Sequence, residues 1–283
     1  MSLKINVKDR VPTYPGRVVM LPVVGEENTF DLVRADMPIE EGTPVNKVLF
    51  DSKADCVTTD VTVYVKTNGS DIDGNGSLDA PFKSIQAAVD SIPKDLCGHT
   101  VTVDIGSGTY DEIITCEGFT GGKLIIGSPS INIIIRGMKI SACTFVELYA
   151  RYINCTGAFG NALLEVTNGS VVSIPNDITL SCNSYNVAGM LASMGSVVYA
   201  AKYKTVNITA SNNAAVAATS GGKVVLPTVT GSDNTLGLVA TMGGTITYEK
   251  HTLTSLFGDS AETGGSILTG GGTINLATAS VID

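Results

Sequence analysis

From residue 99 onward the chain is written in short alternating runs separated by glycine turns. Val172-Ser173-Ile174 and Ile246-Thr247-Tyr248 place apolar side chains at every second position, the spacing by which a strand turns one face inward and the other outward. The turn-then-strand unit recurs as Asn168-Gly169-Ser170-Val171-Val172, Met194-Gly195-Ser196-Val197-Val198, Ser220-Gly221-Gly222-Lys223-Val224, Met242-Gly243-Gly244-Thr245-Ile246 and Gly270-Gly271-Gly272-Thr273-Ile274. The aligned glycines Gly169, Gly195, Gly221, Gly243 and Gly271 lie 26, 26, 22 and 28 residues apart. Thr120-Gly121-Gly122-Lys123-Leu124 precedes Gly169 by 48 residues, two turns of 24, and the coil between them would hold Ile131–Ile135 and Thr144–Leu148.

A period in the twenties with β rather than helical character predicts a solenoid. Leucine-rich repeats would need an L-x-x-L-x-L pattern, which is missing. In a β-helix, equivalent positions stack about 4.8 Å apart along the axis, and glycine suits the corners because it accepts positive φ. An antiparallel sandwich with glycine turns is the alternative, but its strands usually come at spacings of 8–12 residues without a longer period. The fold expected from about Val61 to the C-terminus is therefore all-β, a right-handed parallel β-helix.

The start of the coil has its own pattern. Thr62-Val63-Tyr64-Val65 alternates as a strand, and Gly69–Gly76 reads as a tight loop. Apolar residues at 82, 85, 89 and 92 then form one helical stripe, with Asp79 placed to cap it, Pro81 in its first turn and Pro93 ending it. Such a helix would cover the open end of the coil, which otherwise presents unpaired strand edges. Three zones follow: a small N-terminal segment at 1–60, a cap of strand, loop and helix at 61–98, and the β-helix at 99–283.

Composition narrows the function. Of 283 residues, 43% are hydrophobic and 16% charged, which is a folded chain rather than a disordered one. With no tryptophan and few other aromatics, the core must rest on Val, Ile, Leu and Ala. A net charge of −9 excludes nucleic acid as an expected partner, because phosphate binding needs a basic surface. No run approaches the roughly 18 uninterrupted apolar residues of a membrane span, and Met1–Asn6 lacks the apolar run of a signal peptide, so synthesis in a cytoplasm without membrane insertion is expected. The six cysteines, Cys56, Cys97, Cys116, Cys143, Cys155 and Cys182, match no zinc spacing. They are expected to be small buried thiols without disulfides.

Candidate chemistry is sparse. The loop Asp71-Ile72-Asp73-Gly74-Asn75-Gly76-Ser77-Leu78-Asp79 matches the opening of an EF-hand calcium loop through Asp71, Asp73 and Asn75, but Phe82 stands where the bidentate Glu is needed. Asp and Asn also favour plain turns, and no metal or other cofactor is expected. Glycoside hydrolysis needs two carboxylates about 5 Å or 6.5–9.5 Å apart. The coil offers Asp104, Asp111, Glu112, Glu117, Glu147, Glu165, Asp177, Asp233 and Glu249, read as solvated turn or face residues. Asp111 and Glu112 would point to opposite sides of a strand, whereas Glu147 and Glu165 could stack on neighbouring coils. Lyase chemistry needs a base, usually beside bound cations, yet Arg136 and Arg151 sit in no acidic cluster. His99 and His251 read as structural. No nucleophile elbow, Walker loop or dinucleotide fingerprint is present, and no catalytic residue is assigned.

Two stretches resemble known families. Val63-Tyr64-Val65, Gly69-Ser70-Asp71, Gly76, Ala80–Ala88 and Gly106-Ser107-Gly108-Thr109-Tyr110 resemble the opening of pectate-lyase-like β-helix proteins, an opening shared by enzymes and non-enzymatic phage tail proteins. Gly16-Arg17-Val18-Val19-Met20-Leu21-Pro22-Val23, Phe30–Asp36 and Glu41-Gly42-Thr43-Pro44-Val45-Asn46-Lys47 resemble the start of tail-fibre proteins from phages and phage-tail-like bacteriocins of Gram-positive bacteria. The resemblance implies a homotrimeric, non-enzymatic virion or tail-particle component. Its N-terminus would hold the tail baseplate proteins through Gly16, Arg17, Arg34, Asp36, Gly42, Thr43, Pro44 and Asn46, and its body would contribute to recognition of a host cell-surface glycan. The alternatives are a tailspike-like polysaccharide hydrolase or lyase, and a stand-alone surface adhesin.

Overall fold

The computed structural model describes residues 56–128, 133–155, 161–182, 187–209, 211, 213–269 and 272–274, together with four short strands before residue 41. The chain divides into two compact units, residues 1–54 and 55–283. In the first, the strands are β1 (Val11–Pro12), β2 (Val18–Pro22), β3 (Phe30–Arg34) and β4 (Pro38–Glu40). β1 pairs with β4 and β2 with β3, both antiparallel.

The second unit is a parallel β-solenoid. It opens with β5 (Val61–Val65) and a single helix, α1 (Ile85–Ser91). Coils then follow as β6 (Thr100–Ile105) with β7 (Gly108–Glu117), and β8 (Lys123–Ile126) with β9 (Ile133–Ser141). Next come β10 (Val146–Leu148), β11 (Tyr152–Cys155) and β12 (Ala162–Thr167), then β13 (Val171–Ile174), β14 (Ile178–Cys182) and β15 (Ala188–Ala192). The following coil is β16 (Val197–Ala200), β17 (Thr205–Thr209) and β18 (Ala214–Ala218). After it run β19 (Lys223–Asn234) with β20 (Leu236–Ala240), and β21 (Thr245–Ser255) with β22 (Ser260–Ala261). β23 (Ser266–Thr269) begins one more level, and β24 (Gly272–Ile274) turns back antiparallel against it.

Three sheets result, and each stacks like on like. In the first, Val61, Val101, Leu124, Val146, Val172, Val198, Val224, Ile246 and Ile267 lie in register. From Val101 onward every one is buried. In the third, Cys116, Ile140, Val166, Ala192, Ala218, Ala240 and Ala261 do the same, so the inward side chains shrink to alanine towards the C-terminal end. In the second, Ile178, Val206 and Val229 lead to His251. Burying these stacked aliphatic side chains supplies the main driving force, about 25 cal/mol for each Å² removed from water.

The corners between the third and first sheets carry the repeat. Asn168, Met194, Ser220, Met242 and Thr263 take positive φ, each followed by a glycine at φ between +72° and +77°. The amides of Gly169, Gly195, Gly221 and Gly243 donate to the carbonyls of Met194, Ser220, Met242 and Thr263 on the next coil, at 3.0–3.3 Å. The last corner is thus Thr263-Gly264-Gly265, a repeat shorter than the expected one centred on Gly271. Gly272–Ile274 forms the antiparallel β24 instead of a further coil. Spacing alone could not separate them, because both present Gly-Gly before an apolar strand.

The cap helix is shorter than its hydrophobic stripe suggested. Phe82 forms a parallel bridge with Val65 rather than entering the helix. Asp79 and Pro81 therefore precede the helix, and Ser84 caps it by accepting a hydrogen bond from the Ala87 amide at 3.1 Å. Glu112, from β7, accepts from the amides of Ile85 and Gln86 at 2.7 and 2.9 Å. Gln86 in turn uses its side-chain amide as a strand substitute, accepting from the Thr115 amide and donating to the Thr115 carbonyl. The helix thereby satisfies backbone groups of β7 and buries Ile85, Ala88 and Val89.

Cysteine usage differs from the expectation. Cys56 and Cys97 form a disulfide across 41 residues, with Cα atoms 5.8 Å apart. Cys97 sits at a corner at φ +47°, which brings it beside the strand lead-in at Cys56, a proximity that sequence spacing does not encode. Cys116 and Cys143 are free and buried, and burial pushes both thiols up. Replacing Cys97 by serine is expected to cost about 3 kcal/mol, since the cross-link restricts the unfolded chain. Urea unfolding with and without reductant checks this: reductant should weaken the parent protein and leave Cys97→Ser unchanged.

Candidate functional site

The residues singled out in the sequence do not form one site. Arg34 ends β3 opposite Val18. The other expected baseplate-attachment positions, Gly16, Arg17, Asp36, Gly42, Thr43, Pro44 and Asn46, lie outside the described residues. In the calcium-like loop each of the three candidate residues gives one oxygen to a local donor. Asp71 Oδ1 accepts from the amides of Lys83 and Ser84 at 2.8 and 2.9 Å, Asp73 Oδ2 meets the Ser70 hydroxyl, and Asn75 Oδ1 accepts from the Ser77 amide. Burial raises the Asp71 carboxyl, but the bonds from Ser84 and Lys83 outweigh it and hold the group below its ordinary value. Among the described residues, no three His, Cys, Asp or Glu side chains are grouped to hold an ion.

Three of the coil's acids are occupied in the same local way. Asp177 and Asp259 accept from the amides of Thr205 and Leu238, both at 2.8 Å, and Asp111 lies 3.5 Å from Arg136. Glu147 and Glu165 do not stack on neighbouring coils. They belong to one coil, on β10 and β12, and register with Ser173 and Leu191 respectively. Their separation onto two sheets follows from the two corners that lie between those strands.

Glu147 is held by two side chains on the outer surface. Lys123 Nζ donates to its Oε2 and the Tyr149 hydroxyl to its Oε1, both at 2.8 Å. Burial alone raises Glu147, yet these two bonds and the Lys123 charge hold it below the ordinary value, while the same bond raises Tyr149. A lowered carboxyl contributes stability above its unfolded pKa, and that contribution disappears as pH falls through the folded value. Glu147→Gln is thus expected to lose under about 1 kcal/mol at pH 7. It should match the parent once pH is well below the lowered value of the folded Glu147 carboxyl, as urea melts at neutral and acid pH will register.

At the C-terminal end, His251 continues an inward ladder of aliphatic residues. Its Nε2 is buried without a hydrogen bond, its Nδ1 lies 3.7 Å from Asp259, and its ring centroid is 5.2 Å from that of Tyr248. Asp259 already serves the Leu238 amide, so this trio closes the second sheet's interior.

A depression of about 170 Å³ remains on the outer face of the second sheet, lined by Ile134, Tyr152, Ile153, Asn154, Thr179 and Ser181. Register builds it: Ile134, Tyr152 and Thr179 form one row, and Asn154 lies beside Ser181 in the next. Tyr152 is 36% exposed, and the Arg151 guanidinium lies 5.8 Å from its ring. Asn154 Oδ1 is buried without a hydrogen bond, an arrangement that costs about 1–3 kcal/mol unless something else satisfies it. The sequence reading missed this group. The signal was Tyr152-Ile153-Asn154-Cys155 recurring as Thr179-Leu180-Ser181-Cys182, which becomes visible once Cys155 is aligned with Cys182.

No family model matches the chain. No curated protein matches it either. No solved structure matches it. The fold is a parallel β-solenoid by its strand pairing alone. No helix among the described residues is long and apolar enough to cross a membrane.

Proposed function

We propose that this chain is a structural and adhesive tail-fibre protein of a phage or phage-tail-like particle, held to the baseplate by its first roughly 60 residues. In this reading it is a homotrimer whose solenoid contributes to recognition of the host surface. The observation that carries the reading is that four of the coil's carboxylates serve the solenoid itself. Glu112, Asp177 and Asp259 accept from backbone amides, and Glu147 is held by Lys123 and Tyr149. Carboxylates committed to holding coils in place make a rigid body with a decorated surface, which suits a spacer that binds. The segments around Gly16–Val23 and Glu41–Lys47 support attachment through their likeness to tail-fibre starts.

Light scattering on the purified chain tests the assembly. A mass of about 88 kDa, three times the 29.3 kDa of one chain, is expected, and 29.3 kDa would overturn the trimer. Deleting residues 1–54 should release the protein from tail particles, and retention would overturn the attachment. New reducing ends in a surface polysaccharide, abolished at one carboxylate, would replace this reading with an enzymatic one.

A further inference from the structure

We infer that the depression on the second sheet is a binding site for one ring of a neutral oligosaccharide, with Tyr152 as its stacking platform and Asn154, Thr179 and Ser181 as its polar contacts. The inference rests on the adhesive reading for its biological setting. Its chemistry rests on the side chains alone.

Three observations converge. First, polar capacity is unspent there. Among the described residues, the side chains of Asn154, Thr179 and Ser181 enter no hydrogen bond, whereas polar groups at the corners are engaged: Asn234 accepts from the Ser211 amide and donates to the Ile208 carbonyl, and Ser170 donates to the Thr167 carbonyl. An amide held by no partner can turn either its oxygen or its nitrogen to a ligand. A sugar ring presents both donors and acceptors and needs such a mixture. Second, the half-exposed ring of Tyr152 stands at the wall of the same hollow, and an aromatic face suits the C–H surface of a pyranose. Third, no charged side chain lines the hollow itself, and of the two arginines near it one has a carboxylate partner. Arg136 follows Ile134 by two residues on the same face and is matched by Asp111 at 3.5 Å, and Arg151 lies against the Tyr152 ring. No carboxylate lines the hollow, so it favours neither a cationic peptide nor a metal.

The surface beyond the hollow has the same character. The row that starts with Ile134, Tyr152 and Thr179 continues through Asn207, Thr230 and Thr252, a hydroxyl- and amide-bearing track along the solenoid axis. The first sheet's outer face differs, with Val171 and Val197 in register and Val225 exposed. An extended glycan lying along the second sheet would meet a polar side chain at each coil, anchored where Tyr152 provides the aromatic wall.

The test uses the full chain, oligomers of glucose, galactose, mannose and N-acetylglucosamine as probes, and poly(glycerol phosphate) as the anionic control. Calorimetric titration should show binding of at least one neutral oligomer. Tyr152→Ala and Asn154→Ala should each weaken it at least tenfold without lowering thermal melting, because both side chains lie outside the inward ladders and Asn154→Ala removes an unpaired buried oxygen. Tyr152→Phe, which keeps the ring, and Thr252→Ala, at the far end of the track, should bind within about threefold of the parent. Ser181→Ala gives an independent reading should either larger truncation disturb folding, and a loss of at least threefold is expected. Unchanged affinity in Tyr152→Ala, Asn154→Ala and Ser181→Ala, binding of the polyanion alone, or no binding at all would each overturn the site. Adhesion to whole cells is measured in parallel. Adhesion that survives Tyr152→Ala overturns the site and leaves the adhesive reading standing, whereas a parent chain that does not adhere overturns that reading itself.

Discussion

Val198→Asp is expected to leave no folded solenoid at neutral pH. Val198 sits in the middle of the first sheet's inward ladder, between Val172 and Val224, and is completely buried. A carboxylate there would face only aliphatic side chains and backbone whose amides are committed to neighbouring coils. An uncompensated buried charge costs about 3–5 kcal/mol, and loss of the valine contact adds to it, against a typical total stability of about 5–15 kcal/mol. Val198→Ala is expected to cost about 2 kcal/mol and to stay folded, since it removes only methyl groups and leaves a small cavity. Circular dichroism and urea unfolding of the pair separate the effect of charge from that of volume. A folded Val198→Asp with parent-like stability would mean that the ladder is not closed at this level.

The second large effect concerns two adjacent glycines that answer to different constraints. At Gly244 a Cβ would come within 2.1 Å of the Ala218 carbonyl oxygen and 2.4 Å of its carbon. That carbonyl accepts from the Thr241 amide at 2.9 Å, so it cannot withdraw without opening the ladder between coils. Gly244→Ala is expected to cost about 4 kcal/mol, in the range reserved for overpacking against fixed backbone. At Gly243 nothing lies within 4 Å of the same hypothetical atom, and only φ +74° opposes a side chain. Gly243→Ala should cost about 1 kcal/mol, comparable to what Met242 already tolerates at φ +48°. Thermal melting of the two variants should differ by several degrees. Equal effects would show that backbone conformation, and not the close approach of coils, sets the glycine requirement.

The architecture was readable because corner geometry writes itself into composition. Gly169, Gly195, Gly221 and Gly243 mark successive corners, and alternation between them identifies the inward rows. The same signal misled at the end, where Gly270-Gly271-Gly272 and Thr263-Gly264-Gly265 both offer a glycine pair before an apolar strand. A non-glycine at positive φ leaves no mark in the sequence, and Ala142 likewise holds φ +53° without one. The helix cap was misplaced for a related reason: Asp79 and Ser84 are both good caps, and the bridge from Phe82 to Val65 chooses between them. The Cys56–Cys97 link and the Tyr152–Asn154 hollow were not legible, since each depends on residues brought together by register across coils. Glu147 and Glu165, 18 residues apart, looked like stacking partners only while the number of corners between them was unknown.

The two ends of the first sheet are finished differently from its middle. At one end the outer edge of β5 is already paired: Phe82 donates to the Tyr64 carbonyl, and Tyr64 and Lys66 donate to the carbonyls of Gly76 and Phe82. At the other, β24 runs back along β23, matching Ile274 with Ile267 and Gly272 with Thr269. Parallel strands that stack coil upon coil form a template that could otherwise recruit another molecule and grow without limit. With a loop along one edge and a reversed strand along the other, the first sheet presents no parallel coil edge at either of its described ends.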